Sequence, residues 1–67
     1  MTTLTLRDNT TNKTFTLDFE ELHALRVFLI RIYHGNKISI IEYTCEYPWE
    51  YSECSYWYNR IENNRRK

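Results

Sequence analysis

Glycine and proline are nearly absent from this chain. Gly35 and Pro48 are the single examples of each among its 67 residues. One glycine cannot build a glycine-rich phosphate loop or the tight elbow that presents a nucleophilic serine. No run approaches the about 18 to 20 apolar residues that a membrane-spanning helix needs. The opening residues Met1, Thr2, Thr3, Leu4 and Thr5 lack the charged and apolar regions of a signal peptide, so the chain is expected to be cytoplasmic. In that compartment the two cysteines, Cys45 and Cys54, are expected as free thiols. An excess of either charge is also missing, since nine Lys and Arg face nine Asp and Glu for a formal net charge of zero. A neutral chain has no general attraction to nucleic acid or to an anionic membrane.

Size excludes more. There is no internal repeat, linker or low-complexity tract, and residues 1–67 read as one domain. A domain this small buries only roughly 60% of the surface its unfolded chain exposes. Little room remains for a substrate pocket, so neither enzymatic activity nor a cofactor is expected. His23, His34, Cys45 and Cys54 are the right residue types for zinc. Their separations of eleven, eleven and nine residues match no close-paired ligand pattern, and no metal site is expected.

Periodicity is what the chain does contain. Leu4 and Leu6 alternate with Thr3, Thr5 and Arg7, and Phe15 and Leu17 alternate with Thr14 and Thr16. Both segments fit half-buried strands. Residues 8–13 between them are rich in Asn and Asp, which tolerate left-handed backbone and bond their own turns. An N-terminal β-hairpin is predicted. Asp18 is a good helix cap, Glu21 completes a capping box, and Leu17 with Leu22 makes a hydrophobic staple. Leu22, Leu25, Leu29 and Ile32 then recur at three and four residues, widened by Phe28 and Tyr33 and stopped by Gly35. This predicts an amphipathic helix over residues 18–34 that packs on the hairpin.

Residues 37–45 are rich in β-branched and aromatic types, which predicts a third strand. Ile38 and Ile40 fall on one side of it, Ile41, Tyr43 and Cys45 on the other. A strand apolar on both faces is often central or covered by a partner. A homodimer covering one face is therefore a further expectation. The C-terminal third has two readings. As a helix, Ser52 caps it, Cys54, Trp57, Tyr58 and Ile61 form a stripe, and Arg65, Arg66 and Lys67 lie near its C-terminus, where positive charge is favourable. As a strand, Tyr56, Trp57 and Tyr58 are strong β material after a turn at Pro48. The helix is preferred, so the expected fold is α+β in the order ββαβα, with ββαββ as the alternative.

The functional signal lies in residues 38–59, which hold four glutamates, seven Tyr or Trp residues, and no lysine or arginine. A small core cannot easily bury so many amphipathic rings. The plainer reading makes these rings the core and the glutamates a solvated face. A mixed role is expected, with Trp49 beside Pro48 as the best candidate for exposure. Tyr and Trp dominate binding hot spots, and carboxylates among them suit arginines on a partner. The candidate partner-binding residues are Glu42, Glu46, Tyr47, Trp49, Glu50, Tyr51 and Glu53. The expected function is a stoichiometric protein-binding module for a basic surface, which is typical of proteins that handle nucleic acid. An inhibitor of a host-defence complex, of the kind phages and other mobile elements carry, is the concrete form. The alternative is a small nucleic-acid-binding regulator using Arg60, Arg65, Arg66 and Lys67 with stacking rings. Such platforms sit among basic residues, and here the rings sit among glutamates.

Overall fold

Alternation of leucine or phenylalanine with polar residues builds the first two elements, β1 (Thr2–Asp8) and β2 (Lys13–Phe19), which pair antiparallel. A computed structural model describes the chain over residues 1–35 and 37–65, the last by its backbone alone. In the hairpin turn the Asp8 carboxylate accepts the Thr10 N–H at 2.8 Å and the Asp8 carbonyl accepts the Asn12 N–H at 2.7 Å. Asn12 takes the left-handed conformation, with φ of 60°, that asparagine tolerates better than most residues. Leu4 and Leu6 are fully buried, and Phe15, Leu17 and Phe19 pack beside them on the same face.

The third element is α1 (Leu22–Gly35), and it starts four residues later than the capping pattern predicts. Asp18 is not its cap. It lies in β2 opposite Thr3, whose hydroxyl donates to the Asp18 carboxylate at 2.8 Å. Leu17 likewise belongs to the strand, and the Glu21 carbonyl accepts the first helical bond, from the Leu25 N–H at 3.2 Å. Extending β2 satisfies backbone groups against β1 and buries Phe19, which outweighs a local cap. The helix stripe is as periodicity places it, with Leu25, Leu29 and Ile32 buried.

Strand β3 (Ile38–Cys45) pairs antiparallel with β1, so the order is β2-β1-β3 and β3 is an edge strand, not a central one. A β-bulge explains its two apolar faces. Thr5 opposes Glu42 while Leu6 opposes Ile40, which leaves Ile41 as the extra residue. The shift returns Tyr43 and Cys45 to the face of Ile38 and Ile40, and only Ile41 is turned out to solvent. No partner copy is needed to cover a second face. A bulge also blunts an exposed sheet edge.

The C-terminal third is helical. Helix α2 (Pro48–Arg65) has 18 residues, a length of about 27 Å at 1.5 Å per residue. It begins four residues before Ser52, which is therefore not its cap. Cys54 and Ile61 are buried, and Trp57 and Tyr58 pack at their edges, so the expected stripe holds. Beyond Pro48 at its first position, Ile61 is the sole aliphatic side chain in α2. Both helices share one core with the inner face of the sheet, giving an α+β fold of two layers. The Arg65 side chain, Arg66 and Lys67 lie outside the described residues.

Candidate functional site

Tyr47 and Glu50, expected as partner-binding residues, build the start of α2. Tyr47 occupies the N-cap, since its carbonyl accepts from the Tyr51 N–H at 3.2 Å. Pro48 follows at the first helical position, where a missing N–H costs nothing. Glu50 stands at the third position and reaches back. One carboxylate oxygen accepts the N–H groups of Tyr47 at 3.1 Å and Glu46 at 3.2 Å. The other lies 3.1 Å from the Met1 ammonium. This is the acidic half of a capping box, completed by a cation from the far end of the described chain. Glu50 is only 3% exposed. Burial acts to raise its pKa, but the ammonium and the two backbone donors outweigh it and hold the carboxyl below its ordinary value. Glu50 thus belongs to the fold and not to a contact face. Pro48 followed two residues later by a glutamate was the sequence signal for this helix start.

The other candidate glutamates separate. Glu46 is exposed and binds the Met1 ammonium at 2.8 Å. Glu53 faces α1, accepting from Arg26 at 3.0 Å and from the Trp57 indole at 2.9 Å. Glu42 opposes Thr5 on the solvent face of the sheet, away from the helices. The expected acidic patch is not one continuous surface.

The aromatic candidates fall into two groups, because Trp49 and Tyr51 point to opposite flanks of α2. Tyr47 and Trp49 stack face to face, with centroids 4.6 Å apart and planes 5° from parallel. Tyr47 is 44% exposed and Trp49 57% exposed. Tyr51, also exposed, leans on the ring of Tyr43 at 5.4 Å. Glu46, next to Tyr47 in the chain, borders the first group. Tyr56, which the candidate set omits, is exposed as well. It sits seven residues from Trp49, nearly two helical turns, and so shares its side of α2. Heptad spacing of aromatics across residues 49–56 was the signal that could have found it.

Arg60 closes the far end of this face. Its guanidinium lies 5.2, 5.5 and 5.7 Å from the ring centroids of Tyr33, Tyr56 and Trp57. It donates to the Tyr56 hydroxyl at 3.0 Å and the Tyr33 hydroxyl at 3.5 Å. These contacts tie α2 to α1 and direct the cation toward the protein's own rings.

Among the described residues, no helix is long and apolar enough to cross a membrane, and no group of three or more His, Cys, Asp or Glu side chains could hold a metal ion. No known protein family, characterised protein or solved structure matches this chain.

Proposed function

We propose that the chain is a non-enzymatic protein-binding module of the cytoplasm that docks through the outer face of α2. The observation that carries this reading is the Tyr47–Trp49 stack held out in solvent at the helix start. Two large rings left half exposed forgo burial that would stabilise the monomer. Stacking and the capped turn restrict their rotamers, so little side-chain entropy is left to lose on docking. Trp49 and Tyr56, seven residues apart on one helix face, have the spacing of paired anchors in helix-in-groove recognition.

The partner in this reading offers cationic side chains. They would lie over the ring faces and approach the Glu46 carboxylate. The Glu46 ion pair with Met1 is exposed, and such pairs exchange at small cost. Basic surfaces belong typically to proteins that handle nucleic acid. An inhibitor or modulator of such a complex, of the host-defence kind, is the finer form, and it rests on composition alone.

The test starts with an affinity pull-down from a lysate of the source organism, comparing wild type with Trp49→Ala and identifying partners by mass spectrometry. Binding of the recovered partner is then titrated. Trp49→Ala should weaken it about 30-fold, equivalent to about 2 kcal/mol, mainly through faster dissociation. Glu46→Lys should slow association, and wild-type binding should weaken as salt rises. Equal affinity of Trp49→Ala and wild type would refute the reading. Saturable binding of a single-stranded oligonucleotide that survives Trp49→Ala would instead favour the nucleic-acid regulator.

A further inference from the structure

The chain's two cysteines meet. Cys45 ends β3 and Cys54 lies on the buried stripe of α2, nine residues on, yet their sulfurs are 3.8 Å apart. The eight residues between them, 46–53, contain the Tyr47–Trp49 stack and the Glu50 cap. We propose that Cys45 and Cys54 form a reversible intramolecular disulfide that staples the two ends of this aromatic segment. A disulfide needs the sulfurs at about 2 Å. Contact between the sulfurs already satisfies most of the required approach, and it joins a strand end to a helix.

Access sets the order of events. Cys54 is fully buried at 0% exposure, whereas Cys45 is half-buried. The oxidant is a small disulfide such as oxidised glutathione. The Cys45 thiolate attacks one of its sulfurs, the reagent's S–S bond breaks, and one thiolate leaves and takes up a proton. Cys54 then releases its proton to solvent, and its sulfur attacks the Cys45 sulfur and expels the second reagent thiolate. Both protein thiols are oxidised and the reagent disulfide is reduced to two thiols.

Burial, followed by the neighbouring Cys45, pushes the Cys54 thiol up to about 12. A thiol that ionises so reluctantly attacks slowly, and proximity offsets this. It is also a poor leaving group, so the bond resists reduction once made. In its consequence for binding the inference rests on the Tyr47–Trp49 stack being part of the contact face. A bond at the two ends of residues 46–53 would hold the capped start of α2 more firmly in the conformation it already has.

The experiment holds the whole chain in glutathione buffers of increasing oxidised fraction, quenches with acid, alkylates in denaturant and measures mass. Trypsin releases residues 38–60 as one peptide, because no Lys or Arg lies between positions 37 and 60. The expected result is that this peptide loses two hydrogens, about 2 Da, and escapes alkylation, with full reversal by dithiothreitol. Cys54→Ser should instead retain a glutathione adduct on Cys45. Native amide exchange across 46–53 should be slower in the oxidised chain than in the reduced one. Two alkylatable thiols throughout, a wild type that stops at the adduct, or cross-links between chains would overturn the disulfide. Unchanged exchange would overturn the stapling. None of these measurements needs a partner, so their failure is distinct from failure of the binding reading.

Discussion

Ile61→Ala should be among the most damaging single changes in α2. Ile61 is 2% exposed and is the only buried aliphatic side chain in that helix. The rest of the buried stripe is Glu50, Cys54 and the edges of Trp57 and Tyr58, none of which anchors the final turns. Full burial of an isoleucine contributes about 1.5–3 kcal/mol, and truncation to alanine adds a cavity term, for a loss of about 2–5 kcal/mol. At 0.05–0.15 kcal/mol per residue, a chain of 67 residues has a total stability of about 3–10 kcal/mol. A loss near 3 kcal/mol is therefore a third of that stability or more. For a domain of this size it lowers Tm by about 12–24 °C. The assay is guanidinium denaturation followed in parallel by far-ultraviolet circular dichroism and tryptophan fluorescence, with Ile61→Val as the graded control at about 1 kcal/mol. If Ile61→Ala has a near-wild-type midpoint, the end of α2 is not seated on the core. Equal losses for Val and Ala would show that buried volume is not what matters there.

Other expectations follow from single groups. Trp49→Ala should change stability by less than about 1 kcal/mol, since it loses chiefly a surface stack, and a larger loss would place Trp49 in the core. Glu50→Gln should lower the melting temperature and flatten its fall in acid. The folded Glu50 carboxyl lies below its ordinary 4.5, so its stabilisation is full above that pH and is lost as pH falls through the folded value. The Met1 ammonium lies above its ordinary 8.0, chiefly through its bond to Glu46, so its share is full below pH 8 and is lost as pH rises through the folded value. A Glu50→Gln profile that parallels wild type in acid would remove Glu50 from this account. Thr2→Val should stabilise the fold by about 1 kcal/mol, because the Thr2 hydroxyl is buried with no hydrogen-bond partner among the described residues. A loss of stability in Thr2→Val would contradict that.

Elements that rest on local repetition are legible in the residue order alone. Apolar residues at alternate positions make β1 and β2, apolar residues at three and four make α1, and Cys54, Trp57 and Ile61 align on one face of any helix that contains them. Each pattern is complete within a few neighbouring residues, so it survives without the rest of the fold. The boundaries and the fate of the charges depend on contacts between distant segments. Asp18 has the chemistry of a helix cap, yet pairing with Thr3 of another strand draws it into β2. The bulge at Ile41 is set by register against β1, and it reverses the face that alternation assigns to Tyr43 and Cys45. The glutamates of the aromatic segment look equivalent in sequence. Met1 and Arg26 separate them, from 49 and 27 positions away, making Glu50 a buried cap and Glu53 an interhelical bridge. Ring exposure followed the same logic, because Trp57 and Tyr58 lie against the core while Trp49 and Tyr56 lie across the helix from it. A local pattern fixes which side chains share a face, and only the partners brought in from distant sequence decide which face is buried.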